Sequence, residues 1–193
     1  MKKNISQLII LISVFIIYGN TLRNEYALDD AIVITQNDFT KEGFSGIGKH
    51  LSNESFTGFF KEEKKLVSGG RYRPLSFITF SLEYEFFGEN PHVSHFINIV
   101  LYILLSLLIF KILLLLFKEE NQVWYKRISF WATMLFVFHP IHTEVVANIK
   151  GRDEILTFLG ALAALYVAIL YVKASKPKMQ KTSCLMFVFF FPV

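Results

Sequence analysis

The chain reads as an all-α polytopic membrane protein, and three observations predict it. More than half of its 193 residues are apolar, with Phe alone supplying 21, and its mean hydropathy is positive, which is high for a water-soluble domain. The apolar residues fall into runs close to the roughly 20 residues a helix needs to cross a bilayer core. The 20 Lys and Arg residues sit mainly at the edges of those runs, where they orient a membrane protein. They do not gather on one amphipathic face, so nucleic acid is not an expected partner. Cys184 is the single cysteine; no internal disulfide can form, and the redox compartment stays open.

The elements follow in order. Residues 4–22 carry no charge and are bounded by Lys2, Lys3 and Arg23. A cleaved signal peptide is the rival reading, because the most apolar core is short, but residues 19–22 offer no small-residue cleavage site and an uncleaved first span is preferred. Residues 23–93 then form an extracytoplasmic loop with amphipathic helices, too long to be a mere connector. Within it, residues 45–60 predict short helices lying on the membrane, and residues 61–65, KEEKK, a solvated tip. In the stretch 69–88, Pro74 suits the first turn of a helix and Gly88 a C-terminal stop. Leu75, Ile78, Leu82 and Phe86 recur there at helical spacing while Glu83 and Glu85 interrupt the apolar face, so this helix lies in the interface or packs on the bundle.

Residues 94–117 are the clearest span. A shorter one, 123–138, stops at His139-Pro140; 155–172 is a full span, and 182–193 begins another without completing it. The bases of 118–127 and 173–181, together with Lys2 and Lys3, fall on one side if the spans alternate. That puts the N-terminus in the cytoplasm and both long loops outside, with a bacterial inner membrane as the expected location. Because the last run is too short to cross, residues 1–193 are expected to be a single partial, truncated membrane domain.

Chemistry concentrates in residues 139–154, HPIHTEVVANIKGRDE, which place two histidines, three acids and two bases between apolar runs. A charge at the bilayer centre costs roughly 2.5–3.5 kcal/mol on insertion scales. These groups therefore either cap two helices at the water boundary or face a polar cavity, and the second reading is favoured. His139, His142 and Glu144 do not have HExxH spacing and lack an evident fourth ligand, so neither a metal nor another cofactor is expected. Pro140 cannot continue a regular helix, so HPIHTE is expected to fold back toward the bundle. Lys150 and Arg152 either sit at the interface or neutralise a phosphate leaving group, and Asp153-Glu154 can cap the following span. Asp29 and Asp30 have two readings as well, a helix N-cap or a general base near the membrane surface. Arg71 and Arg73 either meet lipid headgroups or clamp a phosphate at a helix N-terminus.

Three ordered pieces carry a resemblance: GRYRPLSFITF, the pattern Gly88-Glu89-Asn90-Pro91 with His95 and Asn98, and HPIHTEVVANIKGRDE. Together they resemble the N-terminal part of the transmembrane and tetratricopeptide-repeat O-mannosyltransferases, polytopic glycosyltransferases of the GT-C class, over residues 18–172. The resemblance implies GT-C-like N-terminal helices and transfer of a sugar, often mannose. The donor would be a polyprenyl-phosphate carrier in the membrane lipid, and the acceptor a hydroxyl such as a protein serine or threonine. It implies Asp29 or Asp30 as the base, with Arg71, Arg73, Lys150 and Arg152 on phosphate. His139, His142 and Glu144 would orient acceptor or sugar. These residues alone, without later spans, are not expected to be active. A non-catalytic accessory subunit and a lipid-linked sugar transporter are the alternatives; the latter typically shows internal repeats, and none is found here.

Overall fold

The computed structural model describes residues 4–27, 29–54, 56–61, 72–119 and 121–173. Arg71, the loop tip beyond Lys61 and the run at 182–193 lie outside the described residues. Among those described, every regular element is helical, as composition and hydropathy predict.

Three helical stretches are long and apolar enough to cross a membrane: Ile5–Arg23, Pro91–Phe117 and Ile149–Lys173. The first joins α1 (Ile5–Tyr18) to a 3-10 turn, Gly19–Arg23. The second is α6 (Pro91–Phe117), whose 27 residues extend about 40 Å. The third joins the turn Ile149–Gly151 to α9 (Arg152–Lys173), which opens with Asp153 and Glu154 in its first turn, where acids favour the positive end of a helix dipole.

The run at 123–138 departs from the expected span. Its helix, α7 (Ile128–Phe138), has only 11 residues, about 16 Å against a core of roughly 30 Å. Trp124–Lys126 form a separate 3-10 turn, and Arg127 is extended. The cause is a cap upstream of the apolar run. Glu119 accepts hydrogen bonds from the backbone N–H of Ile128 and Ser129 and from the Ser129 hydroxyl, at 2.8 to 3.0 Å. Burial works to raise the Glu119 pKa, but these bonds and the charge of Arg127 hold it below the usual carboxylate range. At its other end α7 stops at His139, and the chain resumes as α8 (His142–Ala147). The break expected at Pro140 is therefore present.

The chain forms two compact units. Among the described residues, one comprises 4–14, 102–119, 121–139 and 157–173. In it Tyr102, buried, stacks on Phe136 with ring centroids 5.9 Å apart, while Leu135 remains 74% exposed on the outside of α7. An apolar exterior of this kind suits lipid rather than water. Arg127 reaches Ser6 Oγ at 3.5 Å, and Lys173 Nζ donates to the Leu115 carbonyl at 2.7 Å.

The other unit comprises Phe15–Leu101 and Pro140–Leu156. Its core is Val33, Ile34, Phe77, Phe80 and Ile149, with Tyr26 and Phe56 packed against it. Val33 and Ile34 come from a π-helical turn, Ala31–Thr35. Asn37 then starts α2 (Asp38–Lys41) by accepting the Thr40 N–H at 3.1 Å, and its amide donates to the Ile32 carbonyl at 3.0 Å. The short helices expected in 45–60 are α3 (Ile47–Ser52) and α4 (Thr57–Phe60). α5 (Pro74–Phe87) has Pro at its first position and ends at Gly88 with φ +64°, a conformation that disfavours a Cβ. One face of α5 buries Phe77 and Phe80 in the core while Leu75 and Phe86 stay exposed. The stripe expected from spacing, Leu75, Ile78, Leu82 and Phe86, is therefore not the buried face of α5, which is that of Phe77 and Phe80.

Candidate functional site

The second unit contains a cavity of about 300 Å³ lined by Asp29, Arg73, Glu144, Lys150, Asp153 and Glu154, with Val145, Asn148 and Gly151. Residues from the 23–93 loop and from the 139–154 loop therefore face one space, the polar cavity favoured from sequence. Gly151 allows the second loop to close on itself: a Cβ there would lie 2.2 Å from the Val145 carbonyl oxygen.

The two aspartates separate. Asp30 is 1% exposed; one carboxylate oxygen accepts the Ala27 N–H and the other the Lys150 N–H, both at 3.0 Å. It caps no helix with its side chain and instead fastens the two loops together through their backbones. Both its oxygens are thus committed. Asp29 is exposed, and its carboxylate stands 2.8 Å from Lys150 Nζ. Of the pair, Asp29 is the one that faces the cavity.

The expected phosphate ligands separate as well. Arg73 lines the cavity and pairs with Asp153 at 2.5 Å; Lys150 lines it beside Asp29. Arg152 does not fit the role expected of it. Its guanidinium has no exposed surface and is used up inside the unit. Nη1 meets Glu83 at 2.8 Å, Nε donates to Asn98 Oδ1 at 2.8 Å, and Nη2 donates to the Ser94 carbonyl at 3.0 Å. The group also lies 4.2 Å over the Phe80 ring. A phosphate cannot reach it without unfolding this arrangement. Glu144 lines the cavity, His142 does not, and His139 belongs to the other unit at the end of α7. Among the described residues no three of His, Cys, Asp and Glu converge as metal ligands. Tyr26 is pushed up to about 12, first by burial and then by the charges of Glu83 and Glu89 against an opposing bond to Ser94. It stays protonated near neutrality and is no general base.

Sequence reasoning missed Glu83 and Asn98 as partners of Arg152. A carboxylate in the middle of an otherwise apolar helix signals a buried cation, but nothing in the sequence says which of twenty bases answers it.

Chemically, the cavity offers carboxylates already opposed by bases. Exposed ion pairs of this kind contribute roughly 0–1 kcal/mol, so an incoming anion can take Lys150 or Arg73 from its partner at little cost and leave a carboxylate uncovered.

These features define a helical membrane protein with a polar, charge-paired cavity built from two loops. Its homologues are TMTC-family protein O-mannosyl-transferases. The chain is 34% identical over 176 residues to protein O-mannosyl-transferase F38B6.6 of Caenorhabditis elegans, covering 89% of this chain and 24% of that protein. It is 34% identical over 148 residues to protein O-mannosyl-transferase TMTC1 of Homo sapiens, covering 76% and 16%, and 31% identical over 147 residues to TMTC3 of Homo sapiens, covering 76% and 15%. The chain thus spans between about a sixth and a quarter of the length of these curated relatives. No family model and no solved structure matches it. The relatives are animal proteins, which gives the expectation of a bacterial inner membrane no support; the membrane assignment itself rests on the three apolar helices.

Proposed function

We propose that the chain is the donor-facing part of a membrane glycosyltransferase. The enzyme moves a mannose-like sugar from a polyprenyl-phosphate carrier to a hydroxyl acceptor such as a protein serine or threonine. The name its relatives carry, protein O-mannosyl-transferase, supports the reaction class. The observation that carries the reading is the Asp29–Lys150 pair at the cavity, between residues 121 positions apart.

In this reading the donor phosphate draws Lys150 and Arg73 away from Asp29 and Asp153. The freed Asp29 carboxylate accepts the proton of the acceptor hydroxyl. The acceptor oxygen bonds to the anomeric carbon from the face opposite the phosphate, and the bond from that carbon to the phosphate oxygen breaks. The departing lipid phosphate keeps the electron pair and is met by the two bases. One displacement inverts the anomeric centre, with no covalent intermediate on the protein. The N-terminus is cytoplasmic in this proposal, and both motif loops face away from the cytoplasm.

The test is Asp29→Asn in the full-length gene product, assayed with a polyprenyl-phosphate mannose donor and a peptide acceptor. Loss of a positioned base lowers transfer roughly 10²–10⁴-fold with membrane insertion unchanged. Transfer at the parent rate removes Asp29 from the mechanism.

A further inference from the structure

The turn that carries Lys150 is held by a chain of side chains of which Asp30, Asn98, Arg152 and Glu83 do not line the cavity. The Lys150 N–H is gripped by Asp30 Oδ1 at 3.0 Å and by Asn148 Oδ1 at 3.1 Å. The two preceding carbonyls, of Asn148 and Ile149, accept from the single amide nitrogen of Asn98, at 3.1 and 3.3 Å. An amide can flip, and a flipped Asn98 would turn its oxygen onto those carbonyls and repel them. Arg152 prevents this, because its Nε donates to Asn98 Oδ1 at 2.8 Å and so fixes which end of the amide faces the turn. Arg152 is itself fixed by Glu83 on α5, by the Ser94 carbonyl on α6 and by the Phe80 ring. Glu83 in turn accepts from the Ser94 hydroxyl. Three helices thereby determine one side-chain orientation, and that orientation determines the turn from which Lys150 reaches Asp29.

We propose that Asn98 is the positioning residue for Lys150, with Arg152 and Glu83 as the lock that sets its amide, so that the Asp29–Lys150 pair forms in one geometry. The catalytic consequence rests on the transferase reading; the positioning itself does not. Asn98 touches no substrate and acts through the backbone of residues 148–150. A buried, fully bonded polar network of this kind specifies a unique arrangement rather than adding much stability.

Two readouts test it, using Asn98→Ala as the variant and Arg152→Lys as a second that keeps the buried positive charge opposite Glu83 but lacks the guanidinium fork. The first is labelling of Lys150 by an amine-reactive acylating reagent in lipid nanodiscs, quantified by mass spectrometry. The Lys150 side chain is 23% exposed and its Nζ is engaged by Asp29, and releasing the turn raises its labelling rate several-fold in both variants. An unchanged rate overturns the lock whatever happens to transfer. The second is a double-variant cycle on sugar transfer by the full-length protein. Asn98→Ala lowers transfer by up to about 10²-fold, the scale of a misplaced group near reacting atoms, and adds nothing further in a Lys150→Ala background. Additive losses mean that Asn98 acts elsewhere and overturn the proposal. Absence of sugar transfer by the parent full-length protein sinks the transferase reading alone, since the labelling arm still decides the lock.

Discussion

Arg152 and Glu83 meet as an ion pair almost without solvent, 2.8 Å apart, with side chains 0% and 5% exposed. A pair of this kind is asymmetric in its energetics. Taking both charges out of water costs several kcal/mol, and their attraction offsets that only while both are present. Arg152→Ala or Glu83→Ala alone is expected to destabilise the second unit by roughly 3–5 kcal/mol, because each strands the other charge. The joint replacement Arg152→Met with Glu83→Leu should cost far less than the sum of the two. Thermal unfolding in nanodiscs reads this directly. Single variants that melt like the parent would mean that water reaches the pair.

Gly151 is required for space. A Cβ added there meets the Val145 carbonyl oxygen at 2.2 Å, a backbone atom that cannot swing aside. Gly151→Ala should therefore shift the turn under the cavity and lower stability by about 1–3 kcal/mol, the scale of overpacking. Gly160 on α9 is the control, since nothing lies within 4 Å of a Cβ at that position. Gly160→Ala should leave the melting temperature unchanged or raised, as Ala favours a helix interior. Equal losses at the two sites would refute the steric argument.

The 23–93 loop is expected to show a pH dependence from His50. This imidazole is buried between Phe39 and Phe77, with ring centroids 5.7 and 5.1 Å away. Burial lowers its pKa from 6.5 to about 4, against a smaller opposing pull from Glu42. The folded pKa lies below the unfolded one, so the stability that His50 contributes is complete above about 6.5 and is lost as pH falls toward 4. Within that window the slope is at most about 1.4 kcal/mol per pH unit. Proteolysis of the 23–93 loop should accelerate as the pH falls from 7 to 5, and His50→Leu should flatten that response. A variant with the parent's pH profile would assign the effect to other groups.

Much of this architecture was legible because membrane insertion imposes long-wavelength constraints. Pro74 and Gly88 bracket α5, Asp153 and Glu154 open α9, and Pro140 separates α7 from α8, each for a local backbone reason written at that residue. The short α7 was hidden because its length is set by Glu119, which lies nine residues before Ile128 and reads as an ordinary loop acid. The division of labour between Asp29 and Asp30 was hidden too. Adjacent carboxylates look alike in sequence, and only the approach of Lys150, more than a hundred residues later, commits one to the backbone and leaves the other exposed. Arg152 misled for the converse reason. A base beside Lys150 in a polar loop reads as a surface cation, and only packing brings Glu83 and Asn98 around it.

The sidedness proposed for the chain rests on where its bases gather. Within the first unit, Arg127 Nη1 lies 3.5 Å from Ser6 near the start of α1, and Lys173 at the end of α9 donates to Leu115 near the end of α6. The N-terminal end of α1 and the C-terminal ends of α6 and α9 thus accompany the basic residues, and bases in short loops mark the cytoplasmic face. Asp29 and Lys150, in contact in the second unit, tie the two motif loops to a common side. Ser45 and Asn121 are both exposed, and the proposed sidedness assigns them to opposite faces. With Cys184→Ser as background, Asn121→Cys should react at once with a membrane-impermeant thiol reagent in sealed vesicles whose cytoplasmic face is outward. Ser45→Cys should react only after permeabilisation. The opposite order would invert the whole assignment and put the cavity on the cytoplasmic face, whereas immediate labelling of both would mean that the α1 and α6 ends do not alternate as their bases require.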